Sequence, residues 1–217
     1  MCGRYNLTAT SEMVIDTFGL HRLPRYETSY NIPPGQKILT IVKLDDGSNK
    51  AVNLHWGLIP HWSKDSKISS HLINARAETL SEKPSFKTAY QQRRCLIPAS
   101  GFYEWQQSEH GKQAYNINRK DQKIFAFAGL WEYWDHGTET IYSCTIITTQ
   151  ANALMSPIHH RMPVIVDNNN YNAWLDKQTS QQTTQEILSM DVYQGVIANP
   201  VSYWVNNPHH NDKNCLN

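Results

Sequence analysis

The chain has 217 residues, 40% hydrophobic and 18% charged, a composition that excludes a disordered chain and suffices for a core without metals or disulfides. A net charge of +1 excludes a broad non-specific duplex binder, which would need many phosphate contacts. It leaves room for a local basic patch, because residues 1–100 hold 13 Lys and Arg against 8 Asp and Glu. No apolar run is long enough to cross a bilayer, and the first ten residues lack a secretory pattern. The expectation is a cytoplasmic protein that meets DNA or the nucleoid there, with no membrane association.

In chain order, Ser11–Phe18 predicts a short helix with Val14, Ile15 and Phe18 on one face and Gly19 as its stop. Residues 20–36 read as irregular. Strands are predicted at Lys37–Val42 and Ala51–Leu58, around an Asp45-Asp46-Gly47 turn. Pro60–His71 has few signals. Short helices are predicted at Ala75–Leu80 and Ser85–Gln92, then strands from Cys95 and at Gln113–Asn118, Phe125–Trp131, Ile141–Thr148 and Met162–Val166. Helices are expected at Tyr171–Leu175 and Thr183–Met190, and a mobile tail at 206–217. Strands outnumber helices and no strand–helix repeat appears. The fold class is therefore α+β, one domain over 1–205 with a curved or barrel-like, mainly antiparallel sheet and peripheral short helices.

Cys2, Cys95, Cys144 and Cys215 form no C-x-x-C pair, so free thiols and no metal site are expected. Cys95 and Cys144 read as core residues and Cys215 as incidental. Cys2 is different in kind. Removal of Met1 would leave an α-amine and a thiol on adjacent carbons, which together can condense with an aldehyde and close a thiazolidine ring. Arg4 could hold an anion beside them.

Three further runs carry chemistry. Asn74 in Asn74-Ala75-Arg76-Ala77-Glu78 can cap a helix. Arg76 there either faces a phosphate or pairs with Glu78 or another carboxylate. Glu104 lies among Phe102, Tyr103 and Trp105, where poor solvation would raise its pKa and suit it to proton transfer; the alternative is a solvated strand residue. Glu132 raises the same question with less support. In Ile158-His159-His160-Arg161-Met162-Pro163, a histidine could act as acid or base, and Arg161 could hold phosphate or pair with a carboxylate. Trp56, Trp62 and Trp105 offer stacking faces for unpaired bases.

These runs, with Met1-Cys2-Gly3-Arg4, Tyr30-Asn31-Ile32-Pro33-Pro34, Trp56-Gly57-Leu58-Ile59-Pro60 and Phe127-Ala128-Gly129-Leu130-Trp131, make the chain resemble the SRAP family of abasic-site processing proteins. The resemblance covers Met1 to about Val205. It implies a sensor of abasic sites in single-stranded DNA that links covalently to the sugar aldehyde through Cys2, with Asn74, Glu104 and His159 as catalytic residues. It also implies DNA contacts by Arg4, Arg76, Arg161, Trp62 and Trp105, removal of Met1 by the protein itself, and lyase or crosslink-reversal activity. A monomer acting at replication forks without a cofactor is expected. The other readings are a cysteine peptidase using Cys2, His159 and Glu104 on protein substrates, and a non-covalent reader of modified bases.

Overall fold

The computed structural model describes residues 2–109, 111–137 and 139–217. The strands are β1 (Tyr5–Leu7), β2 (Ser29–Ile32), β3 (Lys37–Lys43), β4 (Asn49–Trp56), β5 (Asn74–Arg76), β6 (Arg94–Ala99), β7 (Gly101–Ser108), β8 (Gly111–Arg119), β9 (Phe125–Asp135), β10 (Thr140–Gln150), β11 (Arg161–Pro163), β12 (Ile165–Val166) and β13 (Val196–Val201). The α-helices are α1 (Ser11–Phe18), α2 (Lys87–Gln92), α3 (Tyr171–Leu175) and α4 (Gln181–Ser189).

Five strands close into a barrel. β3 pairs antiparallel with β4 and β6, β6 with β9, and β9 with β10. A parallel pairing of β10 with β4, Ser143 opposite His55 and Cys144 opposite Trp56, completes the ring. Closure removes exposed edges and explains why β6 is buried at every position. Gly129 sits in β9 between both neighbours; a Cβ there would lie 2.9 Å from Cys95 Sγ and 3.0 Å from Thr145 O, so the close approach requires glycine.

A second sheet runs β13-β8-β7-β1-β2. Tyr5 joins it to the barrel core, packing edge-on against Trp56 at 5.4 Å and Phe127 at 5.9 Å. Such aromatic pairs add about 0.5–1.5 kcal/mol beyond their area. The helices lie outside. α1 is capped by the Thr10 side chain, which accepts from Met13 N, and ends at Gly19 with φ of 60°, a left-handed position suited to glycine.

The α+β, barrel-like, mainly antiparallel reading matches this architecture, and Ser11–Phe18 and Tyr171–Leu175 are helices at the predicted bounds. Four strands, the short β1 and β2 and the longer β7 and β13, have no counterpart among the predicted elements. The helix predicted at Ala75–Leu80 is instead β5 followed by a 3-10 turn at Ala77–Thr79. Parallel pairing of Asn74–Arg76 with Ile146–Thr148 overrides the local helical preference. The strand predicted at Met162–Val166 breaks at Val164, whose N–H reaches Ile147 O while its carbonyl accepts from Ala128. The chain crosses there from β10 to β9.

The segment predicted as a mobile tail is folded back. Lys213–Leu216 forms a 3-10 turn and Cys215 is fully buried beside Tyr103, Val201 and Val205. Its polar residues, which suggested solvation, bond to β2 instead: Asn211 Oδ1 accepts from Tyr30 N at 2.7 Å and Asn31 N at 3.1 Å. Cys95 and Cys144 are fully buried core residues.

Candidate active site

β1 pairs antiparallel with β7, Tyr5 opposite Phe102, and Tyr103 N donates to Arg4 O at 2.9 Å. Extending that register brings the residues before β1 alongside Tyr103–Trp105. From the barrel side, β5 delivers Asn74, whose Nδ2 donates to Cys2 O at 2.9 Å. Asn74 therefore caps no helix; it holds the Cys2 backbone from a strand. Cys2 itself is fully buried.

Glu104 points inward from β7 and is 3% exposed, so the solvated-strand alternative does not hold. Burial pushes its carboxyl pKa up, partly opposed by the Trp105 backbone and by His160. Burial also pushes the Cys2 thiol well up, and the Glu104 charge pushes it further. Glu104 thus interacts electrostatically with both Cys2 and His160.

The Arg161 backbone N–H donates to His159 Nδ1 at 2.9 Å. The same Nδ1 lies 3.1 Å from the Arg161 carbonyl oxygen, so the Arg161 backbone fixes this edge of the ring. Burial lowers the His159 pKa. His160 stacks on His159 with centroids 4.3 Å apart. Among the described residues no cluster of His, Cys, Asp or Glu could hold a metal ion.

The cations divide. Arg76 is exposed and makes no ion pair among the described residues. It lines an open cleft of about 490 Å³ with Gln150, Ser156 and His160. Arg161 departs from the expected phosphate contact. It is 8% exposed and grips Glu78 with two bonds of 2.7 and 2.9 Å, and it also reaches the Thr148 carbonyl. Its fork is a strut between β11 and the turn after β5, and Glu78, expected as an Arg76 partner, is taken by it. Arg161→Ala should lower unfolding stability by about 2–3 kcal/mol, measured by denaturant titration, with Glu78 regaining water as it is freed.

Arg4 also turns inward, donating to Asn31 Oδ1 at 2.9 Å and Val205 O at 3.0 Å and lying 5.8 Å from the Trp105 ring centroid. Trp105 is half-buried and its Nε1 is held by Asn206 Oδ1 at 2.7 Å. Trp62 is 50% exposed, whereas Trp56 is fully buried against Tyr5 and presents no face for a base. Glu132 is buried but bound by Arg93 Nη2 at 2.7 Å and His61 Nδ1 at 3.3 Å, away from Cys2.

Two residues had no assigned role in the sequence. Asn31 lay inside a recognised motif, which was a signal. Tyr193 had none: it is buried, donates to Pro163 O at 2.7 Å, and its pKa is raised by burial and by the neighbouring Cys2 and Glu104.

A closed five-stranded barrel joined to a second sheet, with a buried cysteine held by an asparagine and acted on by a buried carboxylate, makes an α+β protein with a candidate thiol site beside its first strand. The chain belongs to the family described as SOS response associated peptidase (SRAP), whose model matches residues 1–208. It is 45% identical to the abasic site processing protein YoqW of Bacillus subtilis, over 100% of this chain and 99% of that one. It is 31% identical to the abasic site processing protein HMCES of Mus musculus, over 100% of this chain and 75% of that one. A crystal structure of a protein from Bacteroides thetaiotaomicron superposes with a TM-score of 0.85 at 26% identity, covering 99% of this chain and 98% of the other. No helix among the described residues is long and apolar enough to cross a membrane.

Proposed function

We propose that the protein captures abasic sites in single-stranded DNA by a thiazolidine bond between mature Cys2 and the sugar aldehyde. The observation that carries this reading is the buried Cys2, its carbonyl held by Asn74 and its thiol pushed up by the charge of buried Glu104; His159 joins the site by its place in the family motif. The relatives named as abasic site processing proteins supply the substrate class.

The abasic sugar is mostly a closed hemiacetal. His159 relays the proton that ring opening moves from the C1′ hydroxyl to the ring oxygen as the C1′–O4′ bond breaks, and ends neutral as it began. Asn74 fixes the Cys2 carbonyl, which orients the adjacent amine and thiol. The amine adds to C1′, and loss of water gives a Schiff base. The thiol then adds to the same carbon and closes the ring, its proton passing to Glu104. One aldehyde and one cysteine combine with net loss of one water. The same groups would remove Met1 by hydrolysis of the Met1–Cys2 peptide bond, and reversal or lyase activity would run through the Schiff base.

The cysteine-peptidase reading is less well supported. Such an enzyme needs a thiolate of lowered pKa beside a histidine cation. Here burial and the Glu104 charge raise the thiol pKa, and burial lowers that of His159, which disfavours its cation. An amine-first attack does not need the thiolate.

Intact-mass measurement after mixing the mature protein with a single strand bearing one abasic site should show the sum of both masses less one water. No shift should appear with intact DNA of the same sequence. Release of peptide fragments without DNA would favour the peptidase reading.

Phosphate contact is assigned to exposed Arg76 and stacking to Trp62. Arg76→Ala should weaken capture equally across flanking sequences and reduce the logarithmic salt slope by about 0.7, one single-strand phosphate contact. An unchanged slope in a salt titration would remove Arg76 from the interface.

A further inference from the structure

We propose that the C-terminal segment 205–217 is a clasp that sets the pose of Cys2, with Arg4 as its positioning residue and Asn211 as its latch. The proposal rests on the reading of Cys2 as nucleophile.

Residues 2–4 belong to no strand or helix, and beyond the burial of Cys2 they are held by bonds from neighbouring elements. Asn74 fixes the Cys2 carbonyl and Tyr103 fixes the Arg4 carbonyl. A further constraint is the Arg4 side chain. One guanidinium nitrogen, Nη1, donates both to Asn31 Oδ1 and to Val205 O, at 2.9 and 3.0 Å. Its cation lies over Trp105, which Asn206 holds in turn. Residues on both sides of the β1/β7 pair are thus tied to the C-terminal segment.

That segment is itself locked onto β2. Asn31 Nδ2 lies 3.2, 3.1 and 2.8 Å from the carbonyls of Val205, Asn207 and His210. Asn211 Oδ1 accepts from Ser29 Oγ, Tyr30 N and Asn31 N at 3.0, 2.7 and 3.1 Å. Tyr103 Oη donates to Tyr30 O at 2.8 Å, and Cys215 is buried against the same tyrosine. The chain therefore runs from Asn211 through Asn31 to Arg4, and from Arg4 two residues back to Cys2. A small displacement of a reacting group far from the remote contact that holds it is costly in rate.

Asn211 is an exposed, neutral residue at the outer end of this chain, and all three of its bonds use one acceptor atom. A phosphate-contact account gives it no role in capture. Asn211→Ala should lower the crosslinking rate at saturating abasic DNA roughly tenfold, with half-saturating DNA concentration and salt slope unchanged. Asn211→Asp supplies the same acceptor and should restore the rate. Arg4→Lys keeps the charge but loses the forked geometry, and should also lower the saturating rate. The rates are read well below each variant's melting temperature, where a merely structural loss would leave them intact. Should Asn211→Ala not fold, Arg4→Lys decides. Wild-type saturating rates in both variants, or an effect confined to half-saturation, would overturn the clasp. Absence of an adduct with the wild-type protein would instead overturn the proposed function.

Discussion

Cys2→Ala in the mature protein should lose the durable adduct with abasic single-stranded DNA. The alanine still presents an α-amine, so it can form a Schiff base, but no thiol is available to close the ring. Without reductant the bond should reverse on denaturation; with borohydride present during mixing it should be trapped as a secondary amine. Cys2→Ser should form a shorter-lived oxygen analogue. The effect should exceed that of any other substitution, because an intramolecular second attack at effective concentrations far above free thiol is removed. Adduct survival in denaturing gels, with and without borohydride, is the readout. A durable, unreduced adduct of Cys2→Ala would place the bond elsewhere.

Glu104→Gln should slow crosslinking by about a hundredfold or more, within the range for loss of a positioned acid–base group. The substitution keeps size and removes ionisation. It carries a second signature. Burial raises the folded-state pKa of Glu104, so the folded protein binds that proton more tightly than the unfolded chain. The stability this contributes is complete below the ordinary carboxylate range and is lost as pH rises through the raised pKa. At neutral pH the ionised carboxylate is a burden on the fold, and Gln removes it. Glu104→Gln should therefore melt higher than wild type at neutral pH, with the gap closing under acid. Loss of rate with a gain in stability is the pattern of a site that holds function at the expense of the fold. A variant with unchanged rate across a pH series would remove Glu104 from the proton path.

Much of the fold was legible in the sequence because the barrel strands are long and apolar. Lys37–Lys43, Phe125–Asp135 and Thr140–Gln150 declare themselves by β-branched and aromatic content between turn residues. Tyr5–Leu7 and Ser29–Ile32 do not. They are three and four residues long, too short for a period to register, and they exist because β7 and the C-terminal segment pair with them. Asn74 shows the same limit at the site. Its residue type and position pointed to a helix cap, and only the parallel pairing with β10 turns its amide toward Cys2.

The charged residues were read correctly as to type and less well as to partner. Arg161 was a plausible phosphate ligand in sequence, yet Glu78 lies 83 positions away and binds it with two hydrogen bonds. Long-range pairs of this kind leave no local trace. Likewise the Asn- and His-rich end of the chain carries the composition of a solvated tail, while the Asn211 side chain and the His210 carbonyl bond to β2.

The central claim is that the α-amine and thiol of one residue act together on the aldehyde. The most direct measurement is peptide mapping of denatured adducts from two proteins, one beginning at Cys2 and one carrying a non-cleavable extension before it. The expected result is a modified peptide beginning at Cys2, heavier by the sugar remnant less one water, from the first protein and no adduct from the second. An extended protein that crosslinks as well as the mature one, or a modified peptide that excludes Cys2, would contradict the account.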